Sequence, residues 1–376
     1  MAESKTKPLS VNSLAAYALL AAIVLTGVYA SWLRFDKGLG ATTHLSDQVP
    51  WGLWIWFTLS RVALSAGGFM FCALYYVFRI EKFRPIVRAA VLTAFIGYGL
   101  VGLELVYDLG LPLHFWHPLI YWNLRSPMLE TSWCIGCYFG VLCLEMTIPL
   151  TEGLGRARLA NWLKNFCVLF AIAGAVLSLL HQSSIGTIMV ISQGKLVELW
   201  YSSWLPVLFF FSALSGGLGF LILELFFAKR FLGWDFPPGL VKSLSKILLG
   251  TLVIYLLVLA ADFARLEKWN LLGQDLKATA WFCLEIFAGV FLPVILLSFR
   301  KVRESKNGLW VSALLAVVGL FLNRLNVILV GFLLKSKAHY FPTWQEFAIT
   351  LMLLTLGLAF LFAFAKRFPI FQNKSN

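Results

Sequence analysis

Ten apolar runs constrain this chain more than any other feature of its sequence, because each is long enough to cross a membrane. The hydrocarbon core of a bilayer is about 30 Å thick, and a helix needs roughly 18 or more apolar residues to span it. The runs therefore predict an all-α, polytopic integral membrane protein with about ten transmembrane helices. They lie near residues 12–33, 51–78, 86–107, 129–150, 162–182, 203–227, 241–262, 278–299, 309–334 and 344–365.

The composition excludes a soluble protein. Of the 376 residues, 60% are hydrophobic and only 13% are charged, and a soluble fold could not hide so much apolar surface. The longest polar interval, roughly 108–128, is too short to bury a core of its own. Residues 1–376 are therefore predicted to form a single integral membrane domain, with membrane lipid around it.

The Lys and Arg residues are distributed unequally between the two predicted sides of the membrane. A net charge of +13 also occurs in nucleic-acid-binding proteins, but the Lys and Arg residues form no patch interleaved with aromatic residues, so no nucleic-acid partner is predicted. Twenty lie at the alternate helix ends that include both termini, ten lie at the opposite ends, and Arg61 lies inside the second helix. The positive-inside rule then predicts that both termini are cytoplasmic.

A short match between two segments of the sequence suggests an internal repeat. The sequence Ala-Leu-Ser-Ala-Gly-Gly at 63–68 resembles Ala-Leu-Ser-Gly-Gly at 213–217, in the second and sixth helices. The match predicts two four-helix bundles, helices two to five and six to nine, in repeat halves 51–182 and 203–334, with the first and last helices peripheral. The alternative is that small residues recur wherever membrane helices pack closely.

Cysteines and histidines predict no metal site and no haem. Six cysteines fall inside predicted helices, and the C-x-x-C pair of Cys134 and Cys137 has no second pair to complete a zinc or iron–sulfur site. The histidines are assigned to the non-cytoplasmic helix ends, whereas a two-haem membrane cytochrome needs axial histidines at two depths. A single haem held by His181 and by His114 or His117 is the alternative.

One outer loop combines aromatic rings with polar groups. His114, Phe115, Trp116 and His117 are followed by Trp122, Arg125 and Glu130 at the start of the fourth helix. A quinone head group needs aromatic walls, hydrogen-bond donors and a proton carrier. Glu130 is therefore predicted to be catalytic, with Trp116, His117 and Arg125 binding the quinone. The alternative is that Glu130 only complements the helix dipole.

Further polar residues lie in or near the helices. His181 and Ser183, which we predict to be at the outer end of the fifth helix, are assigned to quinone binding, unless they form an ordinary helix terminus stopped by Gly186. Charges inside a membrane are costly and tend to be paired or functional. Arg61, Glu104 and Glu145 are therefore predicted to form a proton path, with Asp108 as a second catalytic candidate near the outside. A structural ion pair is the alternative.

Together these motifs resemble the membrane subunits of the NrfD/polysulfide-reductase family. The likeness is closest to the branch that serves periplasmic Hyb-type [NiFe]-hydrogenases, and it extends through most of the chain. The residues that carry it are Pro50-Trp51-Gly52-Leu53-Trp54, Gly97-Tyr98-Gly99, Asp108, Arg125-Ser126-Pro127, Glu130, Glu145, His181-Gln182-Ser183-Ser184 and Tyr340-Phe341-Pro342-Thr343-Trp344.

The resemblance implies a redox function. Such a subunit lies in the bacterial inner membrane, binds menaquinone or another quinone near the periplasmic face and holds neither haem nor an iron–sulfur cluster. Its partners are a ferredoxin-like four-cluster iron–sulfur subunit and a catalytic subunit, with a [NiFe]-hydrogenase as one candidate. Glu130 stands where the Hyb-type branch has a glutamate important for quinone chemistry, whereas Arg125 and Pro127 depart from that branch.

Two other functions are compatible with the residues alone. A transporter or ion channel could use Arg61, Glu104 and Glu145 to line a path, and it would move a substrate without any redox partner. A structural anchor could use the outer loop only to dock a periplasmic enzyme, and it would bind no quinone. In the redox interpretation the chain passes electrons between quinone and the iron–sulfur subunit, with associated proton transfer, and is not catalytic alone.

Overall fold

A computed structural model describes residues 11–237 and 239–370. In this part of the chain ten helices are long and apolar enough to cross a membrane, so the predicted all-α membrane fold is confirmed. We label them α1 to α10. Their bounds are Val11–Lys37, Leu53–Val77, Glu81–Asp108, Pro127–Gly153, Cys167–Ile191, Leu205–Leu232, Leu240–Arg265, Leu276–Ser298, Lys306–Ser336 and Trp344–Arg367.

The fifth predicted boundary is wrong, whereas the others agree to within about five residues. Helix α5 continues to Ile191 instead of ending near 182. Gly186 does not stop it, because a Cβ there would lie 2.4 Å from the Cα of Pro206, so this glycine lets α5 pack closely on α6. The hydroxyls of Ser184 and Thr187 donate to carbonyls one turn earlier in the same helix, so both are satisfied inside it.

The helices pack as two groups. In the first, α2 contacts α3 and α5, and α4 contacts α3 and α5; in the second, α6 contacts α7 and α9, and α8 contacts the same two helices. The groups meet mainly where α6 packs against α2 and α5. Helices α1 and α10 pack against each other at the edge of the first group, where α10 contacts α3. This arrangement agrees with two four-helix bundles and two peripheral helices.

The two similar segments, 63–68 and 213–217, meet where α2 and α6 cross. A Cβ on Gly67 would lie 2.3 Å from the carbonyl carbon of Gly217, so the two backbones touch. Glycine is required on both sides because any side chain would push the helices apart. Close packing of this kind is also what the small-residue alternative requires, so the repeat of halves 51–182 and 203–334 stays a prediction.

Consecutive helices run in opposite directions, so every second loop lies at the same end of the helices. Loops at the same end contact one another. At one end Arg34 donates to the carbonyls of Tyr107 and Leu109, and His44 contacts the carbonyl of Phe341. We call this end the predicted outer face. At the other end, the predicted cytoplasmic face, loops and helix termini are joined by bonds such as Lys82 to Ser243. The terminal segments 1–10 and 371–376, whose side is predicted from the basic residues, lie outside the described residues.

Candidate functional site

A cleft of about 490 Å³ opens at the predicted outer face, where the loop after α3 leads into α4. Trp122 and Trp133 form aromatic walls, with ring centroids 5.5 Å apart and planes at 90°. Arg125 and Glu130 supply the charged groups of the lining. The remaining lining residues are Leu124, Ser126, Pro127 and Leu129.

The local sequence fixes this geometry. The side-chain oxygen of Asn123 accepts the backbone N–H of Arg125 at 3.2 Å, which tightens the turn before α4. Pro127 then begins the helix, where its fixed φ suits the first helical position. Glu130 consequently stands in the first turn of α4, and the Trp122 indole is held by a 2.8 Å hydrogen bond to the carbonyl of Leu119.

Glu130 and Arg125 are both exposed in this chain. The chain by itself therefore leaves the Glu130 carboxyl group in contact with its surroundings. Anything that covers the cleft, such as a ligand or a partner protein, would remove water from Glu130. The two residues are nevertheless brought together as predicted, since both line the same cleft.

Trp116 and His117 form an aromatic cluster beside the cleft. The His117 ring lies 4.5 Å from that of His114, 4.4 Å from Trp116 and 5.1 Å from Tyr121, measured between centroids. Among the described residues the cleft walls come from 122–133, so this cluster extends the aromatic surface of the loop without lining the cleft. Trp116 and His117 thus lie on the same loop as Arg125 but outside the cleft.

His181 does not belong to the outer cluster, which corrects the prediction that it lies at a helix end. It is ten residues before the last residue of α5, so it lies about 15 Å inside that helix. The side chain is only 1% exposed, and its ring lies 5.7 Å from that of Tyr98 in α3. Ser183, two residues further along, is half-buried in the same helix.

Arg61 and Glu104 form a buried ion pair, with Nη1 and Oε1 2.6 Å apart. Thr58 also donates to the carboxylate at 3.1 Å. Arg61 is therefore paired with a carboxylate, as the alternative of a structural ion pair requires. Glu145 is not part of this group: it lines a cavity at the predicted cytoplasmic face, so the proposed proton path is divided into two separate clusters.

Sequence reasoning missed a third cluster, which surrounds Asp108. Arg34 and Glu346 both act electrostatically on this half-buried carboxyl, and Arg34 is itself buried with bonds of 2.9 and 2.6 Å to the carbonyls of Tyr107 and Leu109. Tyr340 donates to Glu346, and burial together with this carboxylate raises the pKa of Tyr340. The Thr-x-x-Glu capping box at Thr343 was the available signal for Glu346.

Among the described residues, no group of three or more His, Cys, Asp or Glu side chains could hold a metal ion. Cys134 is buried and Cys137 exposed on the same helix. His114 and His117 contact each other in the loop, whereas His181 lies inside α5. The absence of haem stays a prediction.

Residues 41–334 match the model of the family described as polysulphide reductase, NrfD. The chain belongs to this family. The matched segment contains α2 to α8 in full and α9 up to residue 334, and it leaves out α1 and α10, the two peripheral helices. The family predicted from the motifs is therefore confirmed.

Three relatives are similar along nearly their whole length. A protein of Nitratidesulfovibrio vulgaris is 35% identical, over 93% of this chain and 92% of its own. The probable Ni/Fe-hydrogenase 2 b-type cytochrome subunit of Escherichia coli is 29% identical, over 91% and 90%. The menaquinone reductase integral membrane subunit of Nitratidesulfovibrio vulgaris is also 29% identical, over 93% and 90%.

Proposed function

We propose that this chain is the quinone-binding membrane subunit of a bacterial respiratory oxidoreductase in the inner membrane. It exchanges electrons between menaquinone or another quinone and an iron–sulfur subunit on the periplasmic side. The observation that carries the proposal is the cleft in which Trp122 and Trp133 face Arg125 and Glu130, in a member of the NrfD family. The relative named as a menaquinone reductase subunit supports quinone as the ligand class.

The chemistry of the cleft suits a quinone head group. The indole rings offer flat apolar surface to the quinone ring, and the Arg125 guanidinium can donate to a carbonyl oxygen. Reduction of the quinone takes up two electrons and two protons, and oxidation of the quinol releases them. Electrons pass to or from the iron–sulfur subunit, while Glu130 holds or releases one of the protons at the quinone oxygen. Trp116 and His117 extend the loop surface toward the partner.

Docking of the partner explains the exposed apolar side chains of this loop. Leu113 is 82% exposed and Leu124 is 85% exposed, and Ile120 and Tyr121 are also largely exposed. Contiguous exposed apolar side chains mark an interaction surface. We assign it to the iron–sulfur subunit, which binds a catalytic subunit in turn, with a [NiFe]-hydrogenase as one candidate. The same contact would cover Glu130 and desolvate it.

The test is the Glu130→Gln variant in the assembled complex. Glutamine keeps the shape and the hydrogen-bonding capacity of the side chain but removes the proton carrier, so quinone-linked electron transfer should fall by about 100-fold or more. Electron transfer from the catalytic subunit to an artificial acceptor should stay at the wild-type rate. Glu267→Gln, which changes an exposed glutamate elsewhere on the predicted outer face, is the matched control. Full quinone activity of Glu130→Gln in an assembled complex would remove Glu130 from the mechanism.

A further inference from the structure

A short amphipathic helix, Ala157–Lys164, connects α4 to α5 at the predicted cytoplasmic face. It follows Gly153, where α4 ends, and precedes Cys167, where α5 begins. Because two membrane-spanning helices end beside it, this connecting helix lies at the level where lipid meets water. Amphipathic helices at that level lie along the membrane surface, with apolar side chains toward the acyl chains and basic side chains toward the head groups.

One side of the connecting helix holds it on the protein. Ala160 is completely buried and Leu163 nearly so, and Leu163 packs with Ile148 of α4. At the end of the helix, Lys164 forms an ion pair with Glu152 at 2.7 Å. These contacts fix the rotation of the helix about its own axis, so they determine which side chains face away from the protein.

The adjoining side of the connecting helix is apolar and exposed. Leu159 and Trp162 are neighbours on the helix surface, three residues apart, and they are 41% and 57% exposed. Leu154, just before the helix, is also exposed. The Trp162 ring lies 5.0 Å from that of Phe166, measured between centroids, which continues the apolar surface toward α5. Tryptophan favours the boundary between lipid and water, so this surface is suited to contact with lipid.

Two arginines beside this apolar surface have no partner in the protein. Arg156 and Arg158 are exposed, and neither forms an ion pair with a described residue. Glu152, the acid nearest to them in the sequence, is already bound by Arg88 and Lys164 at 2.8 and 2.7 Å. Two positive charges are therefore left to a partner outside this chain.

An anionic phospholipid complements both parts of the surface. Guanidinium groups bind phosphate oxygens through charge-assisted hydrogen bonds, and acyl chains cover exposed apolar side chains. A soluble anion would satisfy only the arginines, whereas an apolar molecule would satisfy only Leu159 and Trp162. Basic residues next to a membrane span attract the anionic lipids of the cytoplasmic leaflet.

We propose that segment 154–162 binds an anionic phospholipid of the cytoplasmic leaflet, with the phosphate at Arg156 and Arg158 and an acyl chain along Leu159 and Trp162. The bound lipid holds the connection between α4 and α5 on the membrane surface. This inference does not depend on the quinone cleft, which lies at the opposite face.

The first test is native mass spectrometry of the full chain in detergent, titrated with phosphatidylglycerol or with phosphatidylcholine that has the same acyl chains. The wild-type chain should bind its tightest phosphatidylglycerol about 10-fold or more tightly than phosphatidylcholine. Arg156→Gln/Arg158→Gln should bind phosphatidylglycerol about 30-fold more weakly than wild type, because both charges near the phosphate are lost. The matched control, Lys242→Gln/Lys246→Gln, removes two positive charges from the same face, where Lys242 already pairs with Glu304. It should keep the wild-type affinity.

Three results overturn the inference: equal affinity of the wild-type chain for the two lipids, wild-type affinity in Arg156→Gln/Arg158→Gln, or an equal loss in the lysine control. The last would show a general effect of positive charge instead of a site. Glycerol 3-phosphate, which has the phosphate but no acyl chain, should not compete with the lipid. Competition at concentrations similar to those of the lipid would assign the arginines to a soluble anion and would also overturn the inference.

The second test uses the wild-type chain, so it does not depend on whether a variant folds. The chain is reconstituted in phosphatidylcholine vesicles with or without phosphatidylglycerol and treated with phenylglyoxal, and modified arginines are located by mass spectrometry. Bound lipid should slow the modification of Arg156 and Arg158 by about 5-fold or more when it is present well above its Kd. Arg300, which is exposed but paired with Glu304, should react at the same rate in both vesicles. No protection of Arg156 and Arg158, or equal protection of Arg300, would contradict the proposed site.

Discussion

At the scale of single residues, buried charge decides how the first bundle is held together. Arg61 lies eight residues inside α2 and meets the carboxylate of Glu104 at 2.6 Å, with both side chains almost completely buried. Taking both charges out of water is costly, so the pair contributes less than its attraction suggests. Loss of one partner is worse, because the remaining charge is left without compensation.

We therefore expect Arg61→Met to destabilise the protein by about 3–5 kcal/mol. The double variant Arg61→Met/Glu104→Leu should be less destabilised than the single variant, because it leaves no unpaired charge. Thermal unfolding in detergent, followed by loss of a monodisperse peak, measures the difference. A single variant as stable as wild type, or a double variant less stable than the single one, would show that the pair is not a structural unit.

Another residue-scale contact explains why two distant family motifs occur together. The hydroxyl of Tyr340 accepts the backbone N–H of Leu53 at 2.9 Å, and a Cβ on Gly52 would lie 2.3 Å from that oxygen. The segment 50–54 and the segment 340–344 therefore form one joint at the predicted outer face. The sequence contains both motifs but no pattern that says they touch, because nearly three hundred residues separate them.

At the scale of helices, periodicity and length predicted nearly every span, and the exception shows the limit of that reasoning. Hydropathy marks where a helix can be buried in lipid, and it identified α1 to α10. It could not tell whether Gly186 ends α5 or permits a close contact, because that depends on Pro206 in another helix. Because of this error the sequence placed His181 at the surface, whereas the structure places it inside the bundle.

The crossing of α2 and α6 gives a prediction for helix packing. Gly67→Ala would place a Cβ 2.3 Å from the backbone of Gly217, where no flexible side chain can move away. The two helices must separate, and we expect a loss of stability of about 1–3 kcal/mol or failure to assemble. The matched control is Gly140→Ala in α4, where a Cβ meets nothing within 4 Å. There the better helix propensity of alanine should leave stability unchanged or slightly higher.

Thermal unfolding of the two glycine variants, side by side in one detergent, is the measurement. The expected order is Gly67→Ala well below wild type and Gly140→Ala at or above it. Equal stability of the two variants would mean that the close approach of α2 and α6 is not required for folding.

At the scale of the whole molecule, the cavities and buried polar groups of the described residues lie at different depths. The aromatic cleft lies at one face, the Glu145 cavity lies near the other, and α3, α4 and α5 contain buried polar side chains such as Tyr98, Tyr138 and His181. The sequence predicted the cleft because its residues are adjacent in the chain. It did not predict the contacts among Tyr98, Tyr138 and His181, since these residues come from three helices and their alignment depends on packing.

The basic residues predict the orientation of the chain in the membrane. Twenty Lys and Arg residues lie at the ends that include both termini and ten at the opposite ends, and the positive-inside rule places the richer side in the cytoplasm. A reporter that fluoresces only in the cytoplasm should therefore be active when fused after the last residue. A periplasmic phosphatase fused at the same point should be inactive, and the same phosphatase inserted in 266–275 should be active. The opposite pattern would place the proposed quinone cleft in the cytoplasm and the Glu145 cavity in the periplasm, so the proposed iron–sulfur partner would have to be cytoplasmic.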